Sequence, residues 1–469
     1  MSIIIKQKPN YSTLPVGQEV IFSVYNHSIV STKTNVKYIA EVYIDRLPIV
    51  PNSGVGFVGS FKTTPNSVGF GMFDLSSIIE SFVSSDNLAN VSSNYKNTFI
   101  NDQTPTPLHI IDKFSTNKNI IKYLAVVFKT QYLDTTQTPA VVVQANDFQV
   151  TEEMNVWNGY LKSTDSINTF NANFGYNPNR FFLQSVVNVG DKPARWLTNA
   201  PAQRYALATD YGVASLITKP RLITDKLHNI KFNYKKADGS LISETVDNVF
   251  ANGGGPYISE SEFNIMHIGC YPGNIYNWSS TFQDLVDNNN LLGYSVQGNN
   301  SAGSRVTDVI TINILCPNQK GYEPIRLTWL NQWGAWDYYT FNMKSSKSIS
   351  TKGSTYEQLG GTWNERYYQP NSFKGGKKSF RVNATEKVIM NTDFVNESES
   401  EWFEELINSP EIYIVNGFKD DNPGSALNTY IIPVRLQTSS YTRKTVANDK
   451  LMQYTFEIEK SKTLRTQAV

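Results

Sequence analysis

Short runs in which every second residue is apolar recur along the whole chain, and each predicts a β-strand with one face turned inward. Val20, Phe22 and Val24 alternate in one run, and Val36, Tyr38, Ala40, Val42 and Ile44 in the next, with Lys37, Glu41 and Asp45 on the opposite face. Gly69–Phe73 continues the pattern, and further strands are expected at Ile121–Phe128 and Ala140–Gln144. Ile230, Phe232 and Tyr234 alternate into Lys236-Ala237-Asp238-Gly239, a hairpin turn whose glycine accepts positive φ. The remaining strands fall at Phe263–Ile268, Ile310–Leu315, Glu411–Phe418, Tyr430–Leu436 and over the alternating Met452, Tyr454, Phe456 and Ile458. Helical periodicity is rare. Ser77 with Glu80 forms a capping box for a short helix near 77–84. Ser398 with Glu401 forms another near 400–408, where Trp402, Phe403, Leu406 and Ile407 share one face and Pro410 stops the helix.

The expected fold class is therefore mostly β and multidomain, with immunoglobulin-like or related β-sandwich or barrel domains and a few short helices. The length of 469 residues suits three domains, expected at 1–155, 156–345 and 346–469. Asn-, Ser- and Gly-rich stretches at 86–106 and 287–304 read as long loops, and Asn252-Gly253-Gly254-Gly255-Pro256 as a flexible break. Residues 344–376, rich in Ser, Lys and Gly, read as an extended arm or mobile loop. No repeat of 20–50 residues is present, which argues against a solenoid or propeller.

The densest pattern lies in Tyr322–Met343. Ile325, Leu327 and Trp329 share one side of a strand, Arg326 and Thr328 the other; Asn331 and Gly334 supply the turn, and Trp336, Tyr338, Tyr339 and Phe341 follow. This hairpin carries three of the eight tryptophans, with Trp333 on or near its loop. Its rings either fill a core or face a partner, and Trp329, Trp333, Trp336, Tyr338, Tyr339, Trp363 and Trp402 are the candidates for either role.

Leu327–Tyr339, with the order Thr-Trp-Leu-Asn, then Gly334, Asp337 and Tyr338, resembles an element of structural proteins from tailed phages of Bacteroidetes, crAss-like phages among them. Gly71–Ser76 resembles an element of their N-terminal β-domains, and Ala447–Glu459 their closing strand. Trp333 and Trp336 depart from the commoner form of the first element. The resemblance implies a virion structural protein of a tail hub, neck or portal-vertex ring, made in the bacterial host cytoplasm. Its implied partners are copies of itself in a ring, other tail or neck proteins such as the hub and fibres, and passive contact with passing DNA. The alternative is a receptor- or glycan-binding tail adhesin, in which the aromatic-rich loop Gly361–Tyr368 would stack on sugar rings.

Composition sharpens this picture. Aromatic residues make up 13% of the chain and charged residues only 18%, the profile of packed strands rather than disorder. Forty-two basic and 41 acidic residues give +1, too balanced for a dedicated nucleic-acid binder and compatible with self-assembly. The two cysteines, Cys270 and Cys316, are expected as buried free thiols rather than a disulfide framework. Met1–Lys6 lacks the pattern of a secretory signal, and no apolar run is long enough to span a membrane.

A search for chemistry finds fragments. His109 with Asp112, His228 with Asp225 and His267 with Cys270 are pairs lacking a third ligand, so no metal or cofactor is expected. Gly54–Gly59 matches G-x-G-x-x-G, but the following Ser60–Pro65 is extended, so the string reads as a glycine turn. No P-loop and no G-x-S-x-G elbow occur, and the glutamates at 397–405 are explained by a helix N-terminus. The chain is read as a non-enzyme. Lys374, Lys377 and Lys378 form a basic turn that offers either a solvated loop or an electrostatic contact to an acidic neighbour or DNA.

Overall fold

The computed structural model describes residues 2–46, 48–50, 54–85, 114–116, 120–162, 177–188, 190–248, 265–316, 321–363, 365–415, 431–438, 440, 442 and 452–464. The expected loop 86–106, the Asn252–Pro256 break, His109 and the start of the Ala447–Glu459 element lie outside them. About 50% of the described residues are strand and 11% helix, arranged in five sheets, which is the expected multidomain, mostly β fold. Five short α-helices occur among the described residues, three more than expected: His27–Val30, Pro272–Tyr276 and Ser280–Asp287 carry too few turns to register as periodicity.

The chain forms two compact units: residues 1–315 with 330–337, and residues 316–329 with 338–469. In the first unit, a three-stranded sheet (Ile4–Gln7, Ile21–Tyr25, Phe70–Asp74) shares a core with a six-stranded sheet centred on Thr34–Asp45 and Ile121–Asp134. Phe128 of the larger sheet meets Phe22 and Phe73 of the smaller at ring distances of 5.5 and 5.6 Å, so the two form a sandwich. The inward positions are those the alternation predicts: Phe22, Val24, Tyr38, Ala40 and Val42 are buried.

A five-stranded sheet runs in the order Gln203–Leu207, Ile310–Leu315, Leu291–Asn299, Asn229–Lys236, Leu241–Asp247. Its last two strands make the expected hairpin, with Gly239 at φ 83° and Asp238 accepting from the Ser240 amide at 2.8 Å. The stretch 287–304 is not a long loop. It closes the helix Ser280–Asp287, turns at Asn289 (φ 52°) and continues as the strand Leu291–Asn299. Its asparagines serve the turns, while Tyr294 and Val296 fill the core between them. Val213–Ile217, Ile265–Gly269 and Phe114–Thr116 form a fourth, small sheet.

The second unit carries most of a seven-stranded sheet, ordered Trp336–Phe341, Ile325–Leu330, Ile412–Val415, Ile431–Leu436, Thr455–Lys460, Gly376–Asn391, Ser345–Gln358. The helix Glu397–Asn408 buries Trp402, Phe403, Glu405 and Leu406, while Ile407 is only half-buried. Its capping box is Asn396 with Glu399, not Ser398 with Glu401: the Asn396 side chain accepts from the Glu399 amide at 2.9 Å and its amide donates back to the Glu399 carboxylate at 2.9 Å. The run Asn-Glu-Ser-Glu-Ser-Glu offers the same spacing twice, and the earlier start adds helix while freeing Ser400 to bond the Tyr454 hydroxyl at 2.8 Å. The helix Ser76–Glu80, by contrast, lacks the expected box of Ser77 with Glu80. Leu75 holds the cap position, and Ser76 is engaged by the Val20 amide at 2.9 Å.

Candidate functional site

The tryptophan-rich hairpin is structural. Its turn is closed by Asn331, whose side-chain oxygen accepts from the amides of Trp333 and Ala335 at 3.0 Å each, while its Nδ2 donates to the Leu197 carbonyl at 2.9 Å. Gly334, at φ 72°, lies where a Cβ would come within 1.7 Å of the Asn158 carbonyl oxygen. Trp333 sits at the turn, as expected, yet it is 5% exposed: its ring packs on Phe181 at 4.8 Å and its Nε1 donates to Asn199 at 2.9 Å. Trp336 is buried as well. In the second unit Trp329 is fully buried against Trp402, with centroids 4.9 Å apart, and Tyr339 packs edge-on to Phe403 at 4.9 Å. Tyr338 is buried beneath the Arg326 guanidinium, 5.2 Å from its ring, and Arg326 donates to Thr340 at 2.7 Å. The strand Ile325–Leu330 is thus buried on both faces, and six of the seven candidate aromatics belong to the interior.

Trp363 is the exception, 61% exposed, and it marks a different kind of structure. Residues 345–391, the front of which was read as an arm or loop, are a long hairpin: Ser345–Gln358 pairs antiparallel with Gly376–Asn391. The first strand has 14 residues and reaches about 45 Å at the usual rise. It is an edge of the seven-stranded sheet. Of the second arm strand only Lys387–Asn391 pairs with Thr455–Lys460, and a single bridge joins Ala384 to Leu464. Beyond Ala384 the arm is a two-stranded ribbon among the described residues, with Lys352–Glu357 and Gly376–Val382 exposed on both faces.

Opposed residues share a face of such a ribbon. Ser348, Ser350, Lys352 and Ser354 face Lys387, Thr385, Asn383 and Arg381, giving a hydroxyl-rich, basic side. Ile349, Thr351 and Gly353 face Glu386, Ala384 and Val382, giving a more apolar side. At the tip the backbone is organised: Thr362 and Gln369 exchange bonds of 3.0 and 2.9 Å, and the Tyr368 ring lies against Gly361 (φ 71°), where a Cβ would meet it at 2.2 Å. Tyr367, Tyr368 and Phe373 are nevertheless largely exposed, Phe373 at 71%. Arg366 lies over the Tyr367 ring at 5.4 Å and Lys374 over Phe373 at 5.8 Å. Lys374, Lys377 and Lys378 are all exposed, and Lys378 donates to the Phe373 carbonyl at 3.2 Å. Lysines on an edge strand guard against unwanted pairing; exposed aromatics at its tip have no such reason. Sequence reasoning missed Lys352, Tyr356, Phe380 and Arg381 as members of this surface, although the serines at every second position from 346 to 350 signal a strand without a core side.

The fragments of chemistry stay apart. His267 is fully buried, its Nδ1 bonded to the Ser215 hydroxyl at 2.8 Å, and burial pushes its pKa down to about 3, so it is a neutral core residue. Gly54 and Gly56 have positive φ and lead directly into the strand Phe57–Thr63, so the G-x-G-x-x-G string is a turn. Neither cysteine is in a disulfide; Cys270 is buried as expected, whereas Cys316 is exposed because it follows the end of the strand Ile310–Leu315. Among the described residues no cluster of three metal-ligating side chains occurs, and no helix is long and apolar enough to cross a membrane.

No protein-family model and no curated protein matches the chain. Among solved structures, native E. coli alpha-2-macroglobulin is similar with a TM-score of 0.18 and 10% identity, over 83% of this chain and 22% of that one, a likeness that carries no argument.

Proposed function

We propose that this chain is a structural virion protein of a tailed bacteriophage, built into a tail hub, neck or ring around the DNA path. It works by assembling with copies of itself and with neighbouring tail proteins, and it does no catalysis. The observation that carries this reading is the arm: a ribbon with both faces in water and a tip of exposed aromatics and cations. An isolated two-stranded ribbon is marginal in water, so such an element is best explained by a neighbour that covers it. The resemblance of Leu327–Tyr339, Gly71–Ser76 and Ala447–Glu459 to phage structural proteins supplies the kind of assembly. Lys374, Lys377 and Lys378 add a passive contact for passing DNA or for an acidic neighbour.

The test is electron microscopy of the purified chain, alone and with its virion neighbours, beside virion incorporation of chains lacking residues 350–360 or 374–378. Closed rings and loss of incorporation by the deletants are expected. A chain that stays monomeric with its neighbours present overturns the reading. The exposed Trp363, Tyr367 and Tyr368 favour one alternative, a glycan-binding adhesin. Glycan-array binding lost on Trp363→Ala, without ring formation, would establish it instead.

A further inference from the structure

We infer that the arm is a binding surface for single-stranded nucleic acid, its cations tracking the phosphates and its exposed rings stacking on unpaired bases. This rests on the reading of the arm as a surface that a partner covers, and it names that partner's chemistry. The charge distribution is the first observation. Residues 344–382 hold eight Lys and Arg against two Glu, a net of +6 in a chain whose total is +1. The balance of the whole chain, which argues against a dedicated nucleic-acid binder, therefore hides one strongly basic segment.

The register of the ribbon sorts that charge by face. Lys352 lies on one face; two and four residues further on, Ser354 and Tyr356 sit opposite Arg381 and Lys378, which share it. Successive cations are thus about 7 Å apart along the ribbon. No carboxylate stands at the paired positions of this face. Glu357 and Glu386 lie on the other, where Glu357 faces Lys377 and Glu386 is paired with Lys460 at 2.7 Å. Lys352, Lys378 and Arg381 are exposed and form no ion pair with any described residue. Arg381 spends its Nε on Asn383 at 3.1 Å, which leaves its two terminal nitrogens for a phosphate. Ser348, Ser350, Ser354 and Thr385 add hydroxyls to the same face, and hydroxyls are ordinary phosphate donors.

Aromatic rings are interleaved with these cations. Phe380 is the extra residue where the register shifts between Ser354 and Thr355, and a bulge of this kind re-aims a side chain. Its ring stands edge-on to Tyr356, 6.5 Å away, and both are exposed, at 56% and 39%. The rings of Trp363, Tyr367 and Phe373 continue the series at the tip. Cations at intervals with exposed rings between them match a strand whose phosphates and base faces are both accessible. The other occupants use half of the surface. A duplex turns its base faces toward each other and leaves the rings nothing to stack on. An acidic peptide matches the cations alone, and a neutral sugar the rings alone.

The test is titration of a labelled oligothymidylate of about 20 nucleotides with the full-length chain, read by fluorescence anisotropy from low to high salt. Binding should weaken with salt at a log–log slope of about −2 for three phosphates neutralised. Lys352→Glu with Lys378→Glu and Arg381→Glu should weaken it about tenfold or more and flatten that slope. Tyr356→Ser with Phe380→Ser should also weaken it about tenfold and leave the slope unchanged. Lys378→Glu alone should matter more than Lys377→Glu, its neighbour on the opposite face. Thermal unfolding should be unchanged throughout, since all these side chains are exposed. A duplex of the same length that binds as tightly as the single strand, or polyglutamate that displaces the single strand at equal charge, overturns the inference. So does binding that neither set of substitutions weakens. A chain that forms rings yet binds no oligonucleotide at low salt overturns it and leaves the assembly reading standing. A chain that binds the oligonucleotide through the arm but stays monomeric with its virion neighbours upholds the inference and overturns the assembly reading alone.

Discussion

Two aromatic hairpins follow one another in this chain and meet opposite fates. Ile325–Leu330 with Trp336–Phe341 is short, and its turn residue Trp333 is 5% exposed. Ser345–Gln358 with Gly376–Asn391 is long, and its tip residue Trp363 is 61% exposed. Both turns rely on glycine at positive φ, Gly334 in the first and Gly361, Gly375 and Gly376 in the second. What differs is the supply of distant partners. The first turn is held by Leu197, Asn199 and Phe181, more than 100 residues earlier in the chain. Among the described residues the second bonds only to itself, through Thr362, Gln369, Phe373 and Lys378. A turn with long-range partners belongs to a core; a turn that is ordered yet unpartnered is available to another molecule.

The contrast breaks most sharply at Trp329. Its replacement by Ala should cost about 3–5 kcal/mol through lost burial and a cavity facing Trp402. Chemical denaturation reads this directly, and an unchanged midpoint would remove the first hairpin from the core. Gly334→Ala should cost about 2–5 kcal/mol, combining the left-handed conformation with a clash against the Asn158 carbonyl. Gly376→Ala, at φ 76° but with open space around it, should cost only the conformational part, about 1–2 kcal/mol.

A pH titration sharpens the same division from the core side. His267 is neutral when folded, with its pKa pushed down to about 3, whereas the unfolded chain titrates near the ordinary 6.5. The unfolded state therefore takes up the proton first. The stabilisation is complete above about 6.5 and is lost as pH falls toward 3, with a slope of about 1.4 kcal/mol per pH unit. Stability measured between pH 6.5 and 5 should lose this slope in His267→Gln and keep it in the arm variants. Smallest of all, Trp363→Ala should change the stability of the isolated chain by no more than about 0.5 kcal/mol, since so exposed a ring has little packing to lose. A loss comparable to that of Trp329→Ala would show the arm to be part of a core.

Much of the architecture was legible locally. The alternation of Val20, Phe22 and Val24, of Tyr38 to Ile44, and of Ile230 to Tyr234 named the inward positions, because a strand's side chains must alternate across its two faces. The hairpin turn at Asp238-Gly239 and the helix carrying Trp402, Phe403 and Leu406 were readable for the same reason: their signals are carried by neighbouring residues. Where several residues offered equivalent local chemistry, the choice shifted. Asn396 took the cap expected of Ser398, and the loop expected over 287–304 became a strand because Tyr294 and Val296 had a core to enter.

The fate of each tryptophan was not local. Trp333 and Trp363 both stand among glycine, asparagine and polar residues, and both could equally have been surface rings. Trp333 is interior because Phe181 and Asn199 arrive from far along the chain to receive its ring and its N–H. Trp363 is exterior because no segment of the second unit covers the ribbon beyond Ala384 among the described residues. The sequence by itself determined the alternating strands, the Asp238-Gly239 turn and the helix carrying Trp402, since backbone preference and alternation act between near neighbours. Which aromatic surface is enclosed, and which is left for a partner, was decided only by the tertiary structure, because burial depends on what the rest of the chain brings to that place.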